Sequence, residues 1–78
     1  MAYDFEDIEK VVNFKTWNKK QKVDELLRID AEMHMELGID STKKEIADTE
    51  KRSRKIYKEI SKLDPITGSL FLRAMLEE

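Results

Sequence analysis

Apolar residues recur along this chain at steps of three and four, the period of an α-helix. They do so in four stretches separated by stop and start signals. The clearest runs from Thr42 to Leu63, where Ile46, Thr49, Ser53, Ile56, Ile60 and Leu63 alternate those steps, with Tyr57 at the edge. Such a seam suits packing against a second helix at a shallow angle. Residues 16–37 offer that partner. Val23, Leu26, Met33 and Leu37 share one face, flanked by Leu27 and Ile29, with Asp30 as the polar position inside it. Between the two runs lies Gly38-Ile39-Asp40-Ser41. Gly38 is expected to end the first helix in the left-handed conformation, with Ile39 folding back onto it. Asp40 and Ser41 are expected to offer oxygens to the next helix, and Thr42-Lys43-Lys44-Glu45 reads as a capping box. The pattern predicts a long antiparallel helical hairpin, about 16–37 and 42–63.

A short helix is expected at each end. Over residues 4–13, Asp4 can serve as the cap, and Phe5, Ile8 and Val12 keep helical spacing, with Val11 beside them. The early acids suit the positive end of a helix dipole. A helix this short does not stand alone in water, so it must dock. Asn18-Lys19-Lys20-Gln21 is a second possible start for the helix that follows. Asp64-Pro65 is a sharp boundary, because the residue before proline avoids helical geometry and Asp then Pro makes a good cap and first turn. It predicts a helix over 65–77, whose first turn Gly68 weakens. There Ile66, Leu70, Phe71, Ala74 and Met75 form a broad apolar face with Leu72 and Leu76 nearly opposite, more apolar surface than one buried stripe needs.

Composition narrows the class to all-α. Two glycines and one proline in 78 residues leave the runs unbroken, and a chain of this length makes one small domain, 1–78, with a thin core. The absence of cysteine excludes a disulfide framework and a cysteine-based zinc site. Charged residues reach 41%, yet the periodicity of the apolar ones argues for folded helices over a disordered chain. No apolar run approaches membrane-spanning length and no leader pattern opens the chain, so a cytoplasmic location is expected.

The net charge of −2 hides a division: residues 41–63 carry +4 and the rest −6, with Asp4, Glu6, Asp7 and Glu9 crowded into the first ten positions. A chain split this way can bind itself or a partner by charge complementarity. Lys44, Lys51, Lys55, Lys58 and Lys62 form a stripe on the third run, and with Arg52 and Arg54 they are the best nucleic-acid candidate. Against that, Tyr57 belongs to the apolar side of its helix and the pI near 5.5 is low for such a protein. A solvated face is the commoner meaning of such a stripe.

Candidate chemistry is sparse. Asp30 and His34 lie one helical turn apart on the apolar face, a pair that can fix register or oligomeric state, or make assembly respond to pH. A metal centre there would need carboxylates such as Glu36 or a second chain, since the protein has one histidine. No phosphate loop, nucleophile motif or cofactor signature is present, so no catalytic, cofactor or metal residue is assigned and a non-enzymatic role is expected. Trp17 and Met35 fall opposite the seam. Tryptophan there is either a binding anchor or packing beneath the N-terminal helix.

These readings converge on a protein–protein interaction module: a small assembly factor, adaptor or inhibitor. Trp17, Met35, Leu70, Phe71, Leu72, Met75 and Leu76 are its candidate anchors, and the lysine stripe would steer an acidic partner. Spare apolar strips also suggest a homodimer. The alternative is a nucleic-acid-associated helical dimer using the basic face. A short, charge-dense, cysteine-free helical chain is similar in style to the small accessory proteins of bacteriophages. Those often act as capsid or tail components or as regulators of host enzymes, and the likeness implies a location in the host cytoplasm.

Overall fold

The computed structural model describes residues 3–76, with side chains to Met75. A single 3-10 turn, Phe5–Asp7, leads into α1 (Ile8–Val12); α2 (Lys19–Met35), α3 (Lys43–Leu63) and α4 (Pro65–Leu76) follow, with no strand among the described residues. The protein is all-α and contains the expected hairpin of two long helices.

The 3-10 turn and helices α2, α3 and α4 each begin where a side chain replaces the missing backbone acceptors, and α1 continues directly from the turn. The Asp4 carboxylate accepts from the Glu6 amide at 3.0 Å. For α2, the reciprocal box at Asn18 prevails: the Gln21 amide donates to Asn18 Oδ1 and the Asn18 amide to Gln21 Oε1, both at 2.8 Å. The helix therefore starts at Lys19 rather than near Thr16, and Trp17 precedes it. Thr42 Oγ1 accepts from the Glu45 amide at 3.1 Å, as expected of the capping box. Asp64 accepts from the Thr67 amide at 3.3 Å and the Thr67 hydroxyl at 2.8 Å, with Pro65 in the first turn of α4.

The joint between the long helices differs from expectation. Gly38 does not take a positive φ, and Ile39 is fully exposed rather than folded back. The reason lies in Ser41. Its hydroxyl accepts from the Gly38 amide at 2.8 Å and its amide donates to the Gly38 carbonyl at 3.1 Å, closing the turn without a left-handed residue. Ser41 thus faces back into the turn and leaves Thr42 to cap α3. Helix α2 ends at Met35, two residues early.

The packing centre is α3. It carries α2 on one flank and α4 on the other, while α1 sits across α2 and α3. The molecule is flat, 40 × 30 × 14 Å, with a radius of gyration of 12.7 Å against about 11.5 Å for a compact chain of this length. Its core is one layer of seven residues: Ile8 and Val11 from α1, Leu26 and Ile29 from α2, and Ile56, Tyr57 and Ile60 from α3. Two of the seven come from the five-residue α1, which explains how so short a helix is held.

Two apolar assignments are corrected. Ile46 heads the expected seam but is exposed, because α2 has ended before that depth and only the joint lies opposite. On α4 the faces divide differently from the sequence reading. Phe71, Leu72 and Met75 pack against the core, whereas Ile66, Leu70 and Ala74 face outward. Gly68 sets this rotation: it is buried against Ser61 of α3, where a side chain would not fit.

Candidate functional site

The polar centre of the fold is Asp30, which is buried on α2. Its Oδ2 accepts from the Tyr57 hydroxyl at 2.6 Å, and its Oδ1 accepts from the Ser53 hydroxyl, both donors on α3. His34 Nε2 lies 2.8 Å from Ser53 Oγ and 3.4 Å from Asp30 Oδ1. Since Ser53 gives its proton to Asp30, its oxygen is the acceptor toward His34, which places the donor hydrogen on Nε2. Aspartate, histidine and serine thus meet, but not as a nucleophile and its base. Ser53 is 1% exposed and its proton is directed at the carboxylate, where activation would need the histidine to take it. What the arrangement does is tie α2 to α3 in one register. The Asp30–His34 pair is legible from its spacing. Ser53 and Tyr57 are visible in the sequence only as a weak and an edge position of the α3 seam.

The N-terminal segment is fastened by two cations of α2. The Lys22 ammonium donates to the Val12 carbonyl at 2.8 Å, at the C-terminal end of α1, and Arg28 Nη2 donates to the Tyr3 carbonyl at 2.7 Å. Arg28 is itself gripped by Glu25 and, at 2.7 Å, by Glu32. The hydrogen bond from Arg28 holds the Glu25 carboxyl below the usual carboxylate range, and Glu25 in turn raises the Arg28 guanidinium above its ordinary value. Beneath these staples sits an aromatic cluster. Trp17 lies 5.0 Å from Phe14 and 5.9 Å from Tyr3, and Tyr3 lies 5.4 Å from Phe14, centroid to centroid. Trp17 is half-buried there, between α1 and α2, and not on an outer face of α2.

The other candidate anchors separate into two groups. Phe71 stacks on Tyr57 at 5.1 Å, and with Leu72 and Met75 it is half-buried against α3. Met35 and Leu70 are exposed, at 82% and 60%. The side chain of Leu76 lies outside the described residues. To the exposed pair the structure adds Ile66, one turn before Leu70 and 76% exposed, and Ile39 and Ile46 at the hairpin joint. No signal in the periodicity distinguishes these from core positions.

Lys44, Lys51, Arg52, Arg54, Lys55, Lys58 and Lys62 are all exposed on α3. Lys62 reaches the buried Glu59 carboxylate at 2.8 Å, which raises its pKa. Toward the N-terminal segment, the Arg52 guanidinium stands 5.4 Å and the Lys55 ammonium 5.7 Å from the centroid of the Phe5 ring. Lys51, Arg52, Arg54, Lys55 and Lys58 surround Phe5 in an open hollow of about 510 Å³. Among the described residues, no group of three or more His, Asp and Glu side chains could hold a metal ion, and no helix is long and apolar enough to cross a membrane. No protein-family model, curated protein or solved structure matches the chain.

Proposed function

We propose that this chain is a non-enzymatic protein–protein interaction module that acts as a small assembly factor, adaptor or inhibitor. The observation that carries the reading is the outer face of α4. Ile66 and Leu70 stand exposed one turn apart, with Ala74 continuing the line, while the opposite face of the same helix is occupied by α3. Single exposed apolar side chains are ordinary, but a contiguous stripe on an otherwise docked helix marks a surface to be covered. The stripe has the i, i+4, i+8 spacing with which a helix lies against a groove or a second helix. Met35, Ile39 and Ile46 at the joint extend the accessible apolar surface to a second end of the molecule.

The test is a retention experiment with the wild-type chain and an Ile66→Ser/Leu70→Ser variant as parallel baits, with helix content checked by circular dichroism. A protein held by the first and released by the second supports the reading. A chain that holds no protein, or holds it equally well in both forms, overturns it.

A further inference from the structure

Phe5 stands between two hollows of opposite charge. One is the basic hollow of α3. The other, about 430 Å³, is bordered by Asp4, Glu6, Glu32 and Glu36, with Phe5 and Arg52 as the wall shared by both. None of the five cations around Phe5 is in an ion pair among the described residues. Across the divide, Glu32 is already bridged to Arg28, which leaves Asp4, Glu6 and Glu36 as the open charges. Like charges crowded together repel, and each hollow is stabilised by the charge its neighbour carries.

We propose that this face binds a second copy of the chain about a two-fold axis lying in the interface, along the boundary that Phe5 marks. A two-fold interface must be self-complementary. Rotation about that line lays each basic hollow over the partner's acidic one, and brings the two Phe5 rings together at the centre. Rotation about the perpendicular line would set five cations against five, so the charge division selects one orientation. The same division argues against a nucleic acid as occupant: a phosphate backbone following Lys51, Lys55 and Lys58 would pass Asp4, Glu6 and Glu36 beside it, on a chain of net charge −2. This surface is separate from the α4 stripe, so it stands or falls independently of the proposed protein partner.

The experiment is sedimentation of the full chain over a micromolar concentration series, at low and high salt. The wild-type chain should dimerise, with a dissociation constant that rises roughly tenfold or more as screening increases. Lys51→Glu/Lys55→Glu/Lys58→Glu and Glu6→Lys/Glu36→Lys should each be monomeric. An equimolar mixture of the two should recover a dimer of one copy of each, because both halves of that interface then oppose acid and base. These positions are exposed, and helicity by circular dichroism confirms that the variants fold. A wild-type chain monomeric throughout at low salt overturns the proposal. So does a dimer indifferent to salt and to both variants, or a monomer that instead retards single-stranded DNA through the same lysines.

Discussion

Gly68 lies against Ser61 so closely that a Cβ on Gly68 would stand 2.0 Å from Ser61 Oγ and 2.5 Å from Ser61 Cα. Both the α-carbon and the amide of Ser61 are in the way, so no side-chain rotation relieves the contact. Gly68→Ala gains about 1 kcal/mol of helix propensity, but it must push α4 off α3. Overpacking of this kind costs about 1–3 kcal/mol, and the displaced backbone also loosens Phe71 from Tyr57. We expect a net loss of stability in urea unfolding. A variant as stable as the wild type would mean that α4 is not seated as described.

The same helix separates its two faces energetically. Leu70→Ser, on the exposed side, should change stability by no more than about 0.5 kcal/mol. Phe71→Ala, which removes the ring stacked on Tyr57, should cost about 2 kcal/mol, less than for a fully buried ring. Equal losses from both changes would contradict the rotation assigned to α4.

Removing the Asp30 carboxylate takes away the acceptor to which both the Ser53 and the Tyr57 hydroxyl donate across the α2–α3 contact. Asp30→Ala should therefore destabilise by about 2–4 kcal/mol. Tyr57→Phe, which keeps the Ser53 bond, should cost about 1 kcal/mol. An apolar replacement of all three, Asp30→Leu with Ser53→Ala and Tyr57→Phe, should recover most of the loss, since both buried hydroxyls go with their acceptor and the exposed His34 can turn its N–H to water. Chemical denaturation of the four chains gives the order directly.

Trp17 is the protein's one tryptophan, and its half-buried seat makes it a reporter of the N-terminal segment. Arg28→Met removes the donor to the Tyr3 carbonyl and the ion pairs with Glu25 and Glu32. Tyr3 should then move away from Trp17, shifting its emission to longer wavelength and increasing acrylamide quenching, for a stability loss of about 1 kcal/mol or less. Unchanged emission would show that the aromatic cluster holds without the staple.

Acid should weaken the fold over a defined range. Glu25 and Asp64 both ionise more readily folded than unfolded: Arg28 holds the first, and hydrogen bonds from the Thr67 hydroxyl and amide hold the second. A carboxylate depressed in this way adds stability that is complete above its unfolded pKa, about 4. That stability is lost as the pH falls through the lower folded value. The urea midpoint should hold nearly level with respect to these two groups from neutrality to about pH 5, then decline below about pH 4. Glu25→Gln and Asp64→Asn should each make the decline shallower.

Much of this architecture is local chemistry, and local chemistry is legible in a linear chain. Asn18 with Gln21, Thr42 with Glu45, and Asp64 before Pro65 act on residues three positions away or fewer, so the helix starts follow from adjacent letters. The three-and-four spacing likewise marks Leu26, Ile29, Ile56 and Ile60 as inward, because a helix carries the same period wherever it lies. What periodicity leaves open is which of two apolar faces a helix turns inward. On α4 that choice depends on Gly68 meeting Ser61, and α2 and α3 are drawn together by Asp30 reaching Ser53 and Tyr57, more than twenty positions ahead. Trp17 sits with Tyr3 rather than along α2, and Phe5 beside Arg52 and Lys55, because α1 docks across two helices at once. Sequence by itself determined the helices and the caps at which α2, α3 and α4 begin, through interactions a few residues long. Tertiary structure alone decided which apolar side chains remain uncovered and that acidic and basic hollows adjoin at Phe5, because both depend on close approach between segments far apart in the chain.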